Sequence, residues 1–308
     1  MWRFIFGRLG QSLLTLLLVS GLAFVLVRMT GNPIDMILPI EASAEMRSEM
    51  SRELGLHRSI FVQYALFLED LIRGDLGTSI RTQKPVIDLL MERLPNSLQL
   101  VGASMLLALI IALPLGIFAA TNRRSFWDAA ARGIALFGQS IPTFWAGIIL
   151  IYIFSIYFGW LPAGRKGGFL NLILPTLTLG LFGFMLAGVV RLLRDSMIAV
   201  LDSEYIKFAR IKGIQEKSVV WKHALKNALI PVVTFVGFYF GILISGTVVV
   251  ETVFAWPGIG RLAYEAVQWR DYPVIQGVVL LVSLITLLSN LVVDIVYAYL
   301  DPRIRYGA

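Results

Sequence analysis

Residues 204–231 form a basic, half-polar segment between two long apolar runs, and their residue types could recognise a partner. The basic residues at its start are Lys207, Arg210, Lys212 and Lys217. Such cations pair with acidic groups on a partner, which steers assembly more than it strengthens it. Ala209 and Gly213 lie four residues apart, a spacing that places two small residues on one helix face and favours close docking. The predicted chemistry is therefore recognition of another protein.

The rest of the chain offers little for catalysis or metal binding. It has no Cys, and its two His residues, His57 and His223, are far apart, so a thiolate nucleophile is excluded and a His-rich metal site is not expected. Gly159 and Gly164 have the separation of a phosphate-binding loop, but Arg165 follows where that loop needs its Lys. No HExxH motif, nucleophile elbow or paired-carboxylate arrangement is present in the sequence. We therefore predict a non-enzymatic chain without a cofactor or metal of its own.

The elements that position the basic segment are predicted membrane spans. Hydrophobic residues make up 57% of the 308 residues and charged residues only 15%, where a soluble domain has about 25% charged residues. A transmembrane helix needs about 20 apolar residues to cross about 30 Å of hydrocarbon. Six runs meet this requirement, at 9–27, 98–120, 134–157, 170–190, 229–250 and 274–300. The sequence thus predicts an all-α integral membrane protein with six transmembrane helices.

The distribution of Lys and Arg over the short loops predicts the orientation. Basic residues concentrate at the N-terminus, in the loops at 121–133 and about 191–228, and in the C-terminal tail. Loops with this excess face the cytoplasm, so both termini are expected to be cytoplasmic. Arg3 and Arg8 precede the first apolar run, which is too long for a cleaved signal peptide and is expected to remain as an uncleaved signal-anchor.

Three regions are predicted along the chain. Residues 1–30 hold the N-terminal cytoplasmic end and first transmembrane helix, residues 31–93 an extracytoplasmic loop region, and residues 94–308 a five-helix core with the cytoplasmic loop. In the outer loop, apolar residues recur at helical spacing from Ile60 to Ile72, and Gly74 is a suitable C-cap. This pattern predicts an amphipathic helix on the outer membrane face or against the other spans. Its role is either to cap the bundle or to help receive substrate.

Ionisable residues within the spans are scarce, and the candidates for a gate or a subunit contact are Asp294, Glu251 and Trp256. Asp294 is the acid clearly inside an apolar run, where a structural role is favoured, with Arg303, Arg305, a helix end or a neighbouring subunit as its partner. Glu251 lies at the outer mouth of the fifth span, beside a loop that contains Trp256, and an interfacial turn is the alternative there. The scarcity of buried charge argues against an ion-coupled carrier.

Nine different short motifs are distributed along the whole chain. They are GNP at 31–33, ELGL at 53–56, RGDLGTS at 73–79, ERLP at 92–95, SIPTFW at 140–145, LPTLTLG at 174–180, VETVF at 250–254, RDYP at 270–273 and DPRIRYG at 301–307. Taken together, they resemble the first-type membrane permease of bacterial oligopeptide and dipeptide ABC importers, a group that also includes nickel, glutathione and opine systems. The resemblance implies a type I ABC importer permease fold in a bacterial or archaeal cytoplasmic membrane.

The resemblance also implies a subunit rather than a complete transporter. Such a permease works in the lipid bilayer with a second homologous permease, two ATP-binding subunits that hold ATP and Mg²⁺, and an extracytoplasmic substrate-binding protein; no nucleic acid is involved. Segment 204–231 is similar to the cytoplasmic coupling loop that grips the ATPase subunits. The residues to which this role carries over are Glu204, Tyr205, Lys207, Ala209, Arg210, Lys212, Gly213 and His223.

The segment departs from the general Glu-Ala-Ala form of that loop. Lys207 and Phe208 occupy the positions of the Glu and the first Ala, and Pro231 lies farther beyond Gly213 than the closing proline of the general form. This longer version looks like the peptide-type subfamily. Because of this departure, the acidic role of the motif is not assigned to a residue of this chain. Glu204 is a candidate for ATPase coupling but is not assigned that acidic role.

Several functions remain open from the sequence. The leading interpretation is the permease subunit of an ATP-driven, binding-protein-dependent importer of di- or oligopeptides, which forms half of the translocation pathway. The same architecture could import nickel, glutathione, opines or another small solute. An autonomous ion-coupled carrier would need charged or polar groups in several spans, and a membrane enzyme would need a catalytic constellation. The sequence shows neither feature.

Overall fold

The computed structural model describes residues 2–29, 31–32, 34–39 and 41–300. Within these residues the regular structure is helical, with fourteen α-helices and two π-helical segments. Extended pairing in the same part of the chain is limited to a β-bridge that joins Thr78 and Pro85. The all-α fold predicted from the sequence is confirmed.

The helices follow one another with short connections. The first five are α1 (Trp2–Met29), α2 (Ile34–Ile37), α3 (Ala44–Glu53), α4 (Ile60–Ile72) and α5 (Val86–Thr121). The middle of the chain forms α6 (Phe126–Ser140), α7 (Thr143–Leu150), a π-helical segment (Ile151–Tyr157), α8 (Phe169–Leu181) and α9 (Phe184–Leu201). The remainder forms α10 (Glu204–Ile211), α11 (Glu216–Ser218), a second π-helical segment (Val219–Ala224), α12 (Leu225–Val253), α13 (Ile259–Gln268) and α14 (Tyr272–Leu300).

Four helical stretches of the described chain are long and apolar enough to cross a membrane. They are Gly10–Met29, Val86–Thr121, Glu216–Val253 and Tyr272–Val296. The third of these is a continuous helix of 38 residues that joins α11, the second π-helical segment and α12. The bent pairs α6 with α7 and α8 with α9 bring the total to six when each pair is counted as one span. This total agrees with the six predicted spans.

The predicted spans 134–157 and 170–190 each fall on a pair of helices with a bend between them. The axes of α6 and α7 differ by 93°, and those of α8 and α9 by 50°. Pro142 has no N–H to donate and disfavours the α conformation in the residue before it, and Ile141 is extended, with φ −92° and ψ 125°. Gly183, which precedes α9, is also extended, with φ −119° and ψ 174°.

Packing divides the chain into two compact units. Unit 1 comprises residues 1–97 and 257–287, and unit 2 comprises residues 98–256 and 288–308. The core of unit 1 consists of Val86, Leu89, Leu90, Ile259, Leu262, Ala266, Val274 and Val278. In unit 2, α9 packs along α12 and against α6. The predicted boundaries after residues 30 and 93 are not tested by this division and stay predictions.

Two glycines allow the helices of unit 2 to approach closely. A Cβ atom on Gly188 would lie 2.5 Å from Cζ of Phe235, and one on Gly180 would lie 2.9 Å from the backbone oxygen of Ser104. Neither distance leaves room for a methyl group. Small residues therefore serve helix packing at these positions, as membrane helices commonly use them.

The predicted outer-loop helix is present as α4, and it lies against α1 within unit 1. Tyr64 Oη is 2.9 Å from Ser20 Oγ, and its ring meets that of Phe24 edge-on, with centroids 5.1 Å apart. The helix ends as the sequence suggests, because Gly74 has φ +79°, a left-handed conformation that favours glycine. Phe61 and Ile72 remain exposed on α4.

Candidate functional site

The central element of the basic segment is the short helix α10, which follows α9 almost directly. Asp202 is the C-cap of α9 and Ser203 the N-cap of α10, so the two helices share one tight corner. Glu204 lies in the first turn of α10, where a negative charge interacts favourably with the helix dipole. The helix ends at Ile211, and Gly213 then adopts φ +78°.

The two sides of α10 differ sharply in burial. Ile206 is fully buried and Ala209 only 8% exposed, so this side packs into unit 2. On the other side, Tyr205, Phe208 (57% exposed) and Ile211 (81% exposed) form an exposed apolar stripe. We call these three residues the α10 stripe. All three side chains are exposed in the described chain.

This geometry corrects the argument that Ala209 and Gly213 share a docking face. The small side chain of Ala209 faces the interior of unit 2, and Gly213 lies beyond the end of the helix. A Cβ atom on Gly213 would meet nothing within 4 Å, so its glycine is required by the left-handed turn rather than by a close approach. The α10 stripe was not predicted, although the i, i+3 spacing of its residues was available in the sequence.

Two of the predicted cations are already paired inside the segment. Lys207 Nζ donates to Glu204 Oε1 at 2.8 Å. Arg210 binds Glu216 through both oxygens, with Nε–Oε2 at 3.0 Å and Nη2–Oε1 at 2.7 Å. The hydrogen bond that Arg210 donates to Glu216 raises the pKa of Arg210 above its ordinary value, so the cation that closes the α10–α11 turn stays charged.

A third predicted cation, Lys212, lies against the ring of Phe208 in the stripe. Lys212 Nζ lies 4.7 Å from the ring centroid of Phe208, which is within cation–π distance. Positive charge is thus placed directly beside the exposed ring. A partner surface that combined an apolar groove with acidic groups would complement both features.

The structure brings Tyr205 together with the region of His223. Asn227 Nδ2 donates to Tyr205 Oη at 2.7 Å and to the backbone oxygen of His223 at 3.3 Å. His223 is half-buried in the second π-helical segment, and π-helical insertions are frequent at functional sites. The start of α12 is therefore tied to α10 by one asparagine.

A buried ionic cluster behind α10 was not predicted. Asp128 on α6 accepts from Arg194 on α9, with Nε–Oδ1 at 2.6 Å and Nη2–Oδ2 at 2.8 Å, and from Arg132 Nε at 3.1 Å. The Asp128 side chain is almost fully buried. Ser125 Oγ accepts from Asp128 N at 3.2 Å, so the sequence signal was a helix N-cap followed three residues later by an acid.

A second, exposed ion pair lies beside this cluster. Arg123 Nη1 is 2.7 Å from Asp202 Oδ2 and links the turn after α5 to the C-cap of α9. The α5–α6 turn and the first turn of α6 are thus each attached to α9. We expect α6, α9 and the corner that leads into α10 to move together.

The three candidates for a gate or subunit contact also lie in unit 2. Glu251 and Trp256 are buried, and Trp256 N donates to the backbone oxygen of Glu251 at 2.8 Å. Neither side chain therefore lies on a free surface of this chain. Asp294 is half-buried on α14, whereas Arg303 and Arg305, two of its predicted partners, lie outside the described residues. A gating role for these residues stays a prediction.

Both helix breaks border one cavity of about 490 Å³ in unit 2. Its lining is mainly apolar, and the polar side chains in it are Gln139, Ser140, Thr143 and Tyr239. No charged side chain belongs to this lining in the described part of the chain. Irregular backbone within the spans of a membrane protein is tolerated where it lines a cavity, and both breaks do so.

Two distant sequence motifs meet in unit 1 through one buried carboxylate. Asp271, from RDYP, accepts from Ser79 Oγ at 2.6 Å, Ile80 N at 3.0 Å and Arg81 N at 3.3 Å, and Ser79 belongs to RGDLGTS. The guanidinium carbon of Arg81 also lies 4.3 Å from the ring centroid of Trp269. These motifs therefore have a structural role that their spacing in the sequence did not reveal.

Two families of membrane transport components match the chain. Residues 112–306 match the family described as binding-protein-dependent transport system inner membrane component. Residues 1–101 match the corresponding N-terminal family of membrane components. The chain belongs to this permease family. Its members are non-catalytic subunits of ABC importers, in agreement with the absence of a catalytic motif from the sequence.

Curated relatives cover almost the whole chain. The glutathione transport system permease protein GsiC of Escherichia coli O6:H1 is 42% identical over 307 residues, which cover 99% of this chain and 100% of that protein. The dipeptide transport system permease protein DppB of Alkalihalophilus pseudofirmus is 41% identical over 304 residues, which cover 90% of this chain and 91% of that protein. This binding-protein-dependent permease is therefore similar to relatives with two different named cargoes.

Solved structures support the fold. Two crystal forms of the MetNI methionine ABC transporter in inward-facing conformations match with TM-scores of 0.59 and 0.57, each at 18% identity. The matches cover 70% and 69% of this permease and 97% and 96% of the other chains. At this level of identity the likeness shows the type I importer permease fold alone.

Proposed function

We propose that this permease is one half of the translocation pathway of an ATP-driven importer of di- or oligopeptides. Its relatives are named for glutathione and for dipeptides, and glutathione is itself a small peptide-like molecule. Both names therefore favour a cargo with peptide bonds and free carboxylates over nickel, opines or other solutes.

The observation that carries the proposal is the α10 stripe. An exposed Phe and Ile beside a cation, on a helix whose opposite side is buried, form a surface suited to a groove on another protein. We assign this surface to an ATPase subunit that binds ATP and Mg²⁺. Two such subunits, a second permease and an extracytoplasmic binding protein would complete the importer.

Coupling then follows from the connections of α10. Closure of the ATPase subunits on ATP would displace the α10 stripe, and α9, α6 and the rod formed by α11 and α12 would follow. The cavity at the helix breaks would change with them, and the passage would open to one side at a time. ATP can drive this change only through different affinities for the two arrangements.

The assignment requires α10 to lie in the cytoplasm. The predicted orientation, with both termini inside, places it there, and the excess of Lys and Arg in loop 191–228 supports that orientation. Residues 31–93 would then face the extracytoplasmic binding protein.

A tagged pull-down of the full chain from native membranes, with mass spectrometry of the retained proteins, tests the proposal. We expect a second permease and nucleotide-binding subunits to be recovered together with this chain. Recovery of the chain alone, or only with copies of itself, would contradict the importer assignment and favour a self-contained carrier.

A further inference from the structure

A cavity in unit 1, distinct from the α10 stripe and from the helix breaks, has the composition of a ligand site. Its volume is about 400 Å³, within the range of about 300–1,000 Å³ that is usual for small-molecule sites. The walls come from the end of α1, from α3, from the loop at 78–83 and from the start of α14. The polar and charged residues that matter here are Arg28, Glu53, Tyr272 and Gln276.

The most informative of these residues is Gln276. Its side chain is only 6% exposed, and its Nε2 atom is buried without a hydrogen-bond partner among the described residues. A buried donor without an acceptor is costly, and such groups are rare in native proteins. Because Gln276 lines the cavity, an occupant with an oxygen acceptor would satisfy its amide.

A cation lines the same cavity. Arg28 Nε donates to Gln63 Oε1 at 2.8 Å, and Nη1 donates to the backbone oxygen of Phe24 at 3.4 Å. The guanidinium carbon also lies 3.4 Å from the ring centroid of Phe24. These contacts fix the guanidinium while using two of its five N–H groups. A fixed guanidinium is well suited to binding a carboxylate.

The opposite charge is supplied by Glu53, whose exposed carboxylate belongs to the lining. The remaining wall combines apolar residues, among them Leu54, Ile80 and Pro273, with the polar side chains of Thr78 and Gln83. One cation, one buried amide donor and one acid in a cavity with both polar and apolar walls match a small molecule that carries both a carboxylate and an ammonium group.

We propose that this cavity binds a short zwitterionic peptide, with its C-terminal carboxylate at Arg28 and Gln276 and its amino group on the side of Glu53. The inference rests on the proposed peptide import and gives the permease a cargo site of its own, next to the region expected to face the binding protein. In the bound state the carboxylate accepts from the otherwise unpaired amide of Gln276.

The test uses the full chain in lipid nanodiscs without any binding protein, and tri-alanine as the probe. We expect tri-alanine to raise the thermal unfolding midpoint of the wild type, and tri-alanine amide, which lacks the carboxylate, to bind at least tenfold more weakly. Gln276→Leu should raise the midpoint of the ligand-free chain, since it removes an unpaired buried donor, and should abolish the response to tri-alanine. Gln268→Leu, at an exposed position on α13, is the matched control and should respond as the wild type does.

The absence of a response in the wild type, or an undiminished response in Gln276→Leu, would overturn the site. Equal responses to tri-alanine and its amide would overturn the placement of the carboxylate. ATP-dependent uptake of tri-alanine by the complete reconstituted transporter separates the two proposals. Uptake without binding to the isolated chain removes the cavity site alone, whereas binding without uptake removes peptide import as the function.

Discussion

At the scale of single residues, the contrast between Ala209 and Phe208 decides what α10 can do. The two are neighbours in sequence, yet Ala209 is buried in unit 2 and the ring of Phe208 is 57% exposed. A small residue at position 209 allows α10 to sit closely on its own unit. The contact with a partner is left to the larger side chains of the α10 stripe.

Phe208→Asp should therefore weaken the binding of the ATPase subunits while leaving the permease folded. Burial of a Phe side chain contributes about 1.5–3 kcal/mol, which corresponds to roughly a tenfold to hundredfold loss of affinity. Co-purification of ATPase subunits with the tagged chain measures the effect. Phe208→Leu, which keeps an apolar side chain, is the matched control and should retain most of the binding. Undiminished co-purification with Phe208→Asp would contradict the role of the stripe.

Gly213 sets the end of α10 through its backbone. An L-residue other than Asn or Asp in the left-handed conformation costs about 1–2 kcal/mol, and Gly213 has φ +78° with open space around its Cβ position. We expect Gly213→Ala to lower stability by about 1 kcal/mol and Gly213→Asn to lower it less. Denaturant unfolding of both variants checks this order. A larger effect of Asn than of Ala would indicate steric contact rather than strain.

At the scale of elements, ion pairs of two kinds hold the helices behind α10. The pair between Asp128 and Arg194 is buried, whereas the pair between Arg123 and Asp202 is exposed. Removal of one partner from a buried pair leaves an unpaired charge, while exposed pairs contribute little. The packing of α6 on α9 therefore depends on the first pair far more than on the second.

Asp128→Ala should destabilise the permease by about 3–5 kcal/mol, and Arg123→Ala by less than about 1 kcal/mol. Thermal unfolding of the two variants in the same detergent compares them directly. The double exchange Asp128→Arg with Arg194→Asp should recover part of the stability lost in the single variants. Equal effects of Asp128→Ala and Arg123→Ala would show that the buried cluster has no special structural role.

The sequence was informative for elements in which one periodicity dominates. The spacing from Ile60 to Ile72 predicted α4, and Gly74 predicted its end. The breaks at Ile141 and Gly183 could not be located from hydropathy, because both halves of each bent span are apolar and hydropathy does not report backbone conformation. Pairs distant in sequence, such as Asp128 with Arg194, depend on tertiary packing and could not be inferred from local spacing.

The sequence located the short helix of the candidate site but not the face that this helix exposes. The basic segment suggested a short recognition helix, and α10 lies there. Which of its faces is exposed could not be read from Ala209 and Gly213, because the position of the helix end determines whether residues four apart share a face. Segment 204–231 alone did not indicate that the chain would pair Arg210 with its own Glu216.

For the whole molecule, the orientation in the membrane decides whether the α10 stripe can reach an ATPase subunit in the cytoplasm. The excess of Lys and Arg in loops 121–133 and 191–228 predicts that both loops are cytoplasmic. The same rule leaves residues 31–93, which contain α3 and α4, on the opposite side of the membrane.

The absence of Cys from the sequence makes this orientation easy to test. We expect Ser48→Cys, on α3, to react with a membrane-impermeant maleimide in intact cells. Lys217→Cys, on α11, should react only after the membrane is permeabilised. The unmodified chain, which should not react in either condition, is the control. Labelling of Lys217→Cys in intact cells would contradict the predicted topology. The α10 stripe would then lie on the side of the membrane opposite to the ATPase subunits.

The continuous helix Glu216–Val253 has a mechanical consequence. Its 38 residues span about 57 Å at about 1.5 Å per residue, nearly twice the thickness of the hydrocarbon layer. A rod of this length amplifies rotation, since a tilt of about 5° about one end carries the other end through about 5 Å. Small angular adjustments at the α10–α11 turn are thereby converted into displacements as large as a helical turn at the far end. The length of this helix would therefore determine how far a small rotation near α10 displaces the opposite end.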